Sequence, residues 1–457
     1  MANNVGDRFE KLFIASLDIF LIFSGFVLSY WTLNLFTPSH LDLKIQYGTV
    51  ILVSLSAIIW LFLFDLFTDM QRKSSVNVIF SIVLSLTIFS LSVFLFSFIK
   101  PQAFEGSVIL SAFIFQLTLI LTVRLCMWSI MRRVAGKKKV LIVSRSGLEG
   151  EKLAGKFHLQ QEGWFEVSGY VTIQAKDTLK KYISKADIVV LSADLEKENQ
   201  MSLTRMCMGE GKEVLLVPQF FEMAVFQAES QQVDDLLVFS IKPPKRNIGQ
   251  NAMKRFVDFA VSLLLLIMSS PIFLILCLLI PLTSKGAAIY KQERIGKNGK
   301  PFLLYKFRSM VADAEKATGP MLALDKDTRI THIGLVIRAI RIDELPQLLN
   351  VLKGDMSLVG PRPERQFFIN GFLKQLPDYN QRFQVKPGIT GLAQVFGSYS
   401  TSVEDKLRFD LMYVRHQSLV LDLKILCQTL RVVLQPNHAK GVVQEPLKQK
   451  FGSVINS

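Results

Sequence analysis

The chain is poor in the residues that build covalent and soft-metal frameworks. Its 457 residues hold four cysteines (Cys126, Cys207, Cys277 and Cys427) and five histidines. The cysteines lie far apart with no CxxC spacing. That excludes a disulfide framework and a cysteine zinc site, and it points to a reducing compartment for the water-facing parts. The histidines are scattered too, so a bound metal is expected to have oxygen ligands. Acidic residues are outnumbered: 53 Lys and Arg against 38 Asp and Glu give a formal charge of +15. No RNA- or DNA-binding motif accompanies this excess, so nucleic acid is not expected as a partner. The cations are read as contacts to anionic lipid and to phosphorylated substrates.

What the chain does have is apolar length. Half of its residues are hydrophobic, and Phe occurs 35 times, with roughly half of those in the first third. Four apolar segments open the protein, at Leu12–Phe36, Tyr47–Phe67, Val76–Ile99 and Val108–Met131. Each is near the ~20 residues that a helix needs to span a bilayer. The first is too long for a removable signal peptide and lacks a small-residue cleavage site. Trp31, Trp60 and Trp128 lie towards segment ends, where amphipathic rings favour the interface. Arg8 and Lys11 precede the first segment, Arg72 and Lys73 separate the second and third, and Arg132, Arg133 and Lys137–Lys139 follow the fourth. The other two loops carry Lys44 and Lys100 against Asp42 and Glu105. The positive-inside rule then puts both ends of the bundle in the cytoplasm.

Next, "KKKVLIVSRSGLEG" reads as a buried strand followed by a turn, and "FEVSGYV", "ADIVVLSAD" and "GKEVLLVPQF" read as further strands, with helical patterns between them. That alternation predicts a parallel, Rossmann-like α/β domain. Its first turn lacks the dinucleotide glycines. Ser144 and Ser146 stand where glycines are expected, leaving Gly147 and Gly150, and no acidic residue ends the second strand. A structural or regulatory domain is favoured over a nucleotide site. A fifth apolar segment, Phe256–Thr283, has basic flanks on both sides, "KRNIGQNAMKR" and "KQERIGKNGK". A spanning helix would carry one of them across the membrane. Pro271 removes an N–H and clashes with the preceding turn, and Ser269 and Ser270 are placed to bond freed carbonyls. The segment is therefore expected to enter the inner leaflet, break at Ser270–Pro271 and return. Near the end of the chain, "LDLKILCQTLRVVLQ" sets Leu423, Leu426, Cys427, Leu430, Val433 and Leu434 on one helical stripe, for core packing or interfacial seating.

The densest chemistry lies in "RIDELPQLLNVLKGDMSLVGPRPE", from Arg341 to Glu364. Asp343 fits a helix N-cap, with Glu344 and Pro346 in the first turn and Gly354 as the stop. Cap and dipole account for two carboxylates there without any function. The neighbours suggest more: Arg338 and Arg341 precede the pair, Lys306 and Arg308 lie in "YKFRSM", and Arg362 stands between Pro361 and Pro363. Guanidinium forks suit phosphate oxygens. Carboxylates among cations suit Mg²⁺ together with a phosphorylated ligand. An ionised Asp can also attack phosphorus directly.

Residues 254 to about 436 resemble the bacterial sugar transferases, monotopic polyprenyl-phosphate phosphoglycosyl transferases. The resemblance rests on "KRFVDF" with the downstream "SSP", "QERIGKNGKPFLLYKFRSM", "RAIRIDELPQLLNVLKGDMSLVGPRPE", "KPGITGLAQV" and "DLMYV", in that order. The whole chain resembles the large subclass that initiates exopolysaccharide, capsule or O-antigen synthesis. The resemblance implies transfer of a sugar-1-phosphate from a UDP-sugar to undecaprenyl phosphate with release of UMP, commonly with glucose or galactose. It also implies Asp343 as nucleophile, Glu344 as its partner with Mg²⁺ at the dyad, and Arg338, Arg362 and Lys306 near the phosphates. The rival class is a non-catalytic membrane scaffold or regulator. The expected layout is a four-helix membrane bundle (1–135), a Rossmann-like domain (136–248), a mixed, mainly α catalytic domain (249–440) with a re-entrant helix (254–284), and a tail (441–457). Partners implied are the UDP-sugar, undecaprenyl phosphate, the lipid bilayer of the bacterial inner membrane and a second copy in a homodimer. The catalytic domain is expected on the cytoplasmic face.

Overall fold

Four apolar helices come first in the computed structural model: α1 (Ala2–Phe36), α2 (Tyr47–Leu63), α3 (Ser75–Ile99) and α4 (Gly106–Ala135). The structure describes residues 2–36, 46–67, 75–100, 104–159, 165–173, 176–226, 228–244, 247–284, 286–311, 327–397 and 401–434. The basic loop with Arg72 and Lys73, the Asp42–Lys44 loop and the 441–457 tail lie outside them. α1, α3 and α4 are long and apolar enough to cross a membrane. α2 is shorter than the run that predicts it, at 17 residues. It stops at Leu63 because Asp65 takes a left-handed conformation (φ 64). Ile22, Phe26, Ala57, Ile82, Phe89 and Ile120 share one buried core between the four helices. A buried ion pair joins α1 to α4, Arg124 to Asp18 at 2.5 Å. A pair is what an ionisable side chain needs at such depth.

A parallel sheet follows. β1 (Lys138–Ser144), α5 (Gly147–Leu159), β2 (Phe165–Thr172), α6 (Lys176–Lys185), β3 (Ile188–Leu191), α7 (Lys197–Gly209) and β4 (Glu213–Leu216) alternate, and the strands line up as β2-β1-β3-β4. β1 and β3 are the central strands, and their residues Val140–Ser144 and Ile188–Leu191 are buried throughout. That explains their uninterrupted apolar runs. The order reverses between β1 and β3, so the turns after these strands are where a ligand crevice would open. That place is filled from within: Asp194 accepts the backbone N–H groups of Arg145 (3.1 Å) and Ser146 (2.9 Å).

The chain divides into two compact units at Val217 and Pro218, upstream of the boundary at 248 expected from sequence. In the second unit, α8 (Phe220–Val225) and the hairpin of β5 (Glu229–Val233) and β6 (Leu236–Ser240) precede the long α9 (Ile248–Thr283). Phe220 and Met223 pack on a core formed by Ile369, Tyr379 and Leu411, which ties α8 to this unit. Then come the antiparallel β7 (Ile289–Ile295) and β8 (Pro301–Phe307), α10 (His332–Ala339), α11 (Gln347–Lys353), β9 (Ser357–Val359), α12 (Gln366–Gln375), β10 (Gly388–Thr390), α13 (Leu392–Phe396), α14 (Val403–Arg415) and α15 (Leu419–Leu434). β9 and β10 run parallel and touching. A Cβ on Gly360, just past β9, would lie 2.3 Å from Lys386 O, so no side chain fits there.

α9 is continuous. The break expected at Ser270–Pro271 is not an interruption of the helix. Pro271 offers no N–H to Ile267 O, and the Ser270 hydroxyl donates to that carbonyl instead, at 2.7 Å. Both halves of α9 pack on the second unit. Near the start, Lys254 bridges Asp258 (2.9 Å) and Asp422 (3.1 Å), and Arg255 donates to Val351 O and Leu352 O. Near the end, Leu276 and Ile280 are buried with Phe307 and Ile337. Between and around these contacts, Leu264, Ile267, Met268, Leu274, Ile275 and Leu278 are exposed. In α15, Ile425, Cys427 and Val432 are buried while Leu423, Leu430 and Leu434 are exposed. Of the predicted stripe only Cys427 is buried and Leu426 half-buried, with Val433 exposed as well; the buried face of the helix runs instead through Asp422, Ile425, Gln428 and Val432.

Candidate active site

The two carboxylates sit on a tight turn. Arg341 turns the chain in the left-handed region (φ 57, ψ 21) just beyond α10. Ile342–Glu344 then form one 3-10 turn, with Glu344 N–H on Arg341 O (3.2 Å) and Leu345 N–H on Ile342 O (3.1 Å). α11 begins only at Gln347, with Pro346 at its cap position. The sequence predicts Asp343 as the N-cap of this helix, and the structure corrects that. Pro346 has no N–H to return to Ile342 O, and the turn before it is held by bonds between residues three apart, with Leu345 still right-handed (φ -52, ψ -40). The regular helix begins only after the proline, so the Asp343 carboxylate is not spent on a cap. Gly354 does end the helix, in the left-handed region at φ 95.

Lys306 reaches the pair from β8. Buried Asn350 of α11 fixes that strand: its Oδ1 accepts Tyr305 N–H (3.0 Å) and its Nδ2 donates to Leu303 O (2.7 Å). Lys306 Nζ then donates to Glu344 Oε1 at 3.0 Å and lies 4.0 Å from Asp343 Oδ2. From the other side, Arg362 Nη2 donates to the same Glu344 oxygen at 2.7 Å. Glu344 is thus bracketed by two cations. Burial opposes its ionisation, but Arg362 and Lys306 outweigh burial and hold its pKa far below the usual carboxylate range. Asp343 differs. Burial raises its carboxyl above the ordinary value and Glu344 adds to that, against the pull of Lys306, Arg338 and Arg362. One carboxylate is locked and the other is poised.

The structure therefore brings Asp343, Glu344, Lys306 and Arg362 together, with Arg338 of α10 acting on Asp343 through its charge. Arg341 enters through its backbone as the turn residue. The Arg308 guanidinium lies against Gly286, where a Cβ would meet it. Asp343 meets Lys306 no closer than 4.0 Å, so its oxygens remain available to a ligand. Hard carboxylate oxygens beside cations are a donor set that fits Mg²⁺, which takes one or two carboxylates and completes its shell with phosphates. Among the described residues there is no group of three or more His, Cys, Asp or Glu that could hold a metal by itself.

The loop that carries Arg362 is held at every carbonyl from 361 to 364. Pro361 O accepts Gly388 N–H (3.0 Å), and Arg362 O accepts Arg382 Nη2 (2.8 Å). Pro363 O accepts Arg294 Nη1 (3.3 Å), and Glu364 O accepts Ile295 N–H (3.0 Å).

Residues 249–436, the stretch that contains all of these groups, match the family model of bacterial sugar transferases. An uncharacterized sugar transferase, EpsL of Bacillus subtilis, is 44% identical over 196 residues, which cover 41% of this chain and 92% of that one. The chain belongs to the bacterial sugar transferase family. Two longer proteins are similar over part of the chain. One is the UDP-N-acetylgalactosamine-undecaprenyl-phosphate N-acetylgalactosaminephosphotransferase of Aeromonas hydrophila, 43% identical over 40% of this chain and 44% of that one. The other is the UDP-glucose:undecaprenyl-phosphate glucose-1-phosphate transferase of Klebsiella pneumoniae, 37% identical over 48% of each chain. The match thus spans less than half the length of these two relatives.

Sequence reasoning missed the buried and half-buried polar groups behind this candidate site. Arg382, Tyr379 and Asp410 form one cluster. Tyr413, Asp422, Lys254 and Asp258 form another, in which Asp258 Oδ1 accepts Leu358 N–H at 3.3 Å and the Tyr413 hydroxyl lies 2.9 Å from Val359 O. Asp410 and Tyr413 stand in "DLMYV" and Lys254 and Asp258 in "KRFVDF", so the motifs were visible but not their roles. Nothing local marks Arg382.

Proposed function

We propose that the chain transfers a hexose-1-phosphate, of glucose or galactose, from a UDP-sugar to undecaprenyl phosphate and releases UMP. The observation that carries this reading is the asymmetric dyad: Asp343 with an available carboxylate, beside Glu344 locked by Lys306 and Arg362. The names of the relatives support the reaction class. Asp343 Oδ attacks the β-phosphorus, and the bond from that phosphorus to the bridging oxygen of UMP breaks. The product is a phosphosugar ester of Asp343. An oxygen of undecaprenyl phosphate then attacks the same phosphorus, and the Asp343 carboxylate leaves. Arg362, Lys306 and Arg338 supply positive charge where the phosphoryl oxygens gain negative charge. Asp343 and Glu344 would hold Mg²⁺, which would supply charge neutralisation at the phosphates.

The same reading places the site at the inner face of the bacterial cytoplasmic membrane, with α9 re-entrant. Both halves of α9 contact one folded unit. From Lys254 to Ile280 a helix rises about 39 Å at 1.5 Å per residue, more than the ~30 Å hydrocarbon core. A spanning α9 would separate those two sets of contacts across the bilayer. An α9 that stays helical but bends at Pro271, so that it dips in and returns, keeps both, with its exposed leucines in lipid and the dyad at the level of the acceptor phosphate.

The test is UMP release by purified protein given undecaprenyl phosphate and UDP-glucose, UDP-galactose or UDP-N-acetylgalactosamine. Release that requires the acceptor lipid is the expected result, and no release with any donor would leave a scaffold. For topology, single cysteines at Gly249 and Ser284 in a cysteine-free background should both escape labelling from outside intact spheroplasts. Labelling at Ser284 alone would show a spanning helix.

A further inference from the structure

We propose that Arg382, held by Asp410, is a positioning residue for the transfer reaction: it sets the aim of Arg362. The inference rests on the reading above that Arg362 serves the dyad. Pro361 and Pro363 fix their own φ angles, and Pro363 keeps Arg362 in extended backbone. Neither proline fixes the plane of the peptide that joins Arg362 to Pro363. That plane sets ψ of Arg362 and hence where its Cβ points. The group that reports the plane is Arg362 O, and Arg382 Nη2 donates to it at 2.8 Å.

Arg382 is itself immobilised. It is 4% exposed. Its Nη2 lies 2.7 Å from Asp410 Oδ2, its Nη1 donates to the Tyr379 hydroxyl at 2.6 Å, and its guanidinium sits 4.9 Å from the Tyr379 ring centroid. Because the guanidinium is a rigid planar fork, two fixed partners determine where its remaining donors point. A lysine in its place offers no such plane. Stability does not explain the cluster, since a buried ion pair is often matched by apolar packing of the same volume. Apolar packing cannot bond a carbonyl. The loop needs such bonding because Arg362 is 41% exposed at the side chain and gets little guidance from packing. Arg294 gives weaker support of the same kind at the next carbonyl, Pro363 O.

The test is a cycle of variants in full-length protein, with UMP release from UDP-glucose, UDP-galactose and UDP-N-acetylgalactosamine as readout. Arg382→Lys is made in the wild type and in Arg362→Ala, and melting temperature is followed for each. In the wild type, kcat and kcat/KM should fall together by about 10- to 100-fold, the scale of a small misplacement near the chemistry. In Arg362→Ala the same change should cost no more than about twofold, because its target is gone. The melting shift should be equal in both backgrounds. Tyr379→Phe keeps the ring and loses one partner of Arg382, so it carries the same comparison with a smaller fall if Arg382→Lys does not fold. An equal fall in both backgrounds would overturn the positioning role and leave the catalytic reading intact. Full turnover in Arg362→Ala alone, or none in the wild type, would overturn the catalytic reading and this inference with it.

Discussion

The turn after β1 and the loop from Gly360 to Glu364 are both short, both follow a buried strand and both hold groups suited to phosphate, yet they use their hydrogen bonds in opposite ways. After β1, the N–H groups of Arg145 and Ser146 point inward and are taken by Asp194. Those are the donors that a bound phosphate would use, and an internal carboxylate has them. In the second loop the carbonyls of residues 361–364 are the groups bonded inward, and the Arg362 guanidinium is left to reach Glu344. One loop satisfies its amides and closes an anion site. The other ties down its acceptors and presents a cation. A strand-end turn is therefore no evidence of a phosphate site until its donors have been followed to their partners.

The hardest way to break the working half of this comparison is Asp343→Asn. Size and polarity stay, the nucleophile goes, and transfer and the covalent phosphosugar adduct should both be lost. Near-normal UMP release would remove Asp343 from the chemistry. Next is Arg362. Arg362→Lys and Arg362→Ala should each lower turnover on the order of 10²–10³-fold, with little change in melting temperature, because Lys lacks the planar fork. Kinetics like the wild type in Arg362→Lys would return that side chain to a surface ion pair.

A third test reaches the strand that leads into the loop. Lys254 is half-buried between the buried Asp258 and Asp422, and Asp258 accepts Leu358 N–H in β9. Lys254→Met strands two buried carboxylates and should cost about 3 kcal/mol of stability. A smaller loss in chemical denaturation would show that water reaches these groups.

The fourth is pH. Burial raises Asp410 to about 6, against the pull of Arg382, with Glu364 and Lys406 as further charged groups facing it and Tyr379 alongside. Its folded pKa exceeds the ordinary 3.8. The folded state thus binds this proton more tightly, and the group's contribution to stability is full below 3.8 and lost as pH rises through about 6. Relative to Asp410→Asn, the wild type should melt progressively lower over that window. In the same window, turnover should fall as pH drops and Arg382 loses its charged partner. Asp410→Asn should lack that limb.

The smallest effect belongs to the closed loop. Asp194→Ala should cost about 1.5–3 kcal/mol, the scale of hydrogen bonds to a charged group, and leave UMP release unchanged. Lost activity without lost stability would give the sheet domain a role in the reaction.

Local pattern in the chain marked several of its elements. Apolar length marked the membrane helices, alternating runs marked the four parallel strands, and Gly354 marked the end of α11. Those signals are local because propensity and periodicity act over one turn or one strand. The carboxylates and the loop arginine were also legible as residues in a motif, but their partnership was not. Glu344 meets Lys306 across 38 positions and Arg362 across 18, Asp194 meets Ser146 across 48, and Arg382 meets the Arg362 carbonyl across 20. The predicted cap at Asp343 failed as well, because Ile342–Glu344 close as a 3-10 turn and the regular helix begins only after Pro346. Which charge is locked, which is available and which loop is closed depend on ångström distances between residues far apart in the chain. Packing of the whole unit sets those distances, because ion pairs and hydrogen bonds weaken steeply beyond contact and no local pattern records which contacts form.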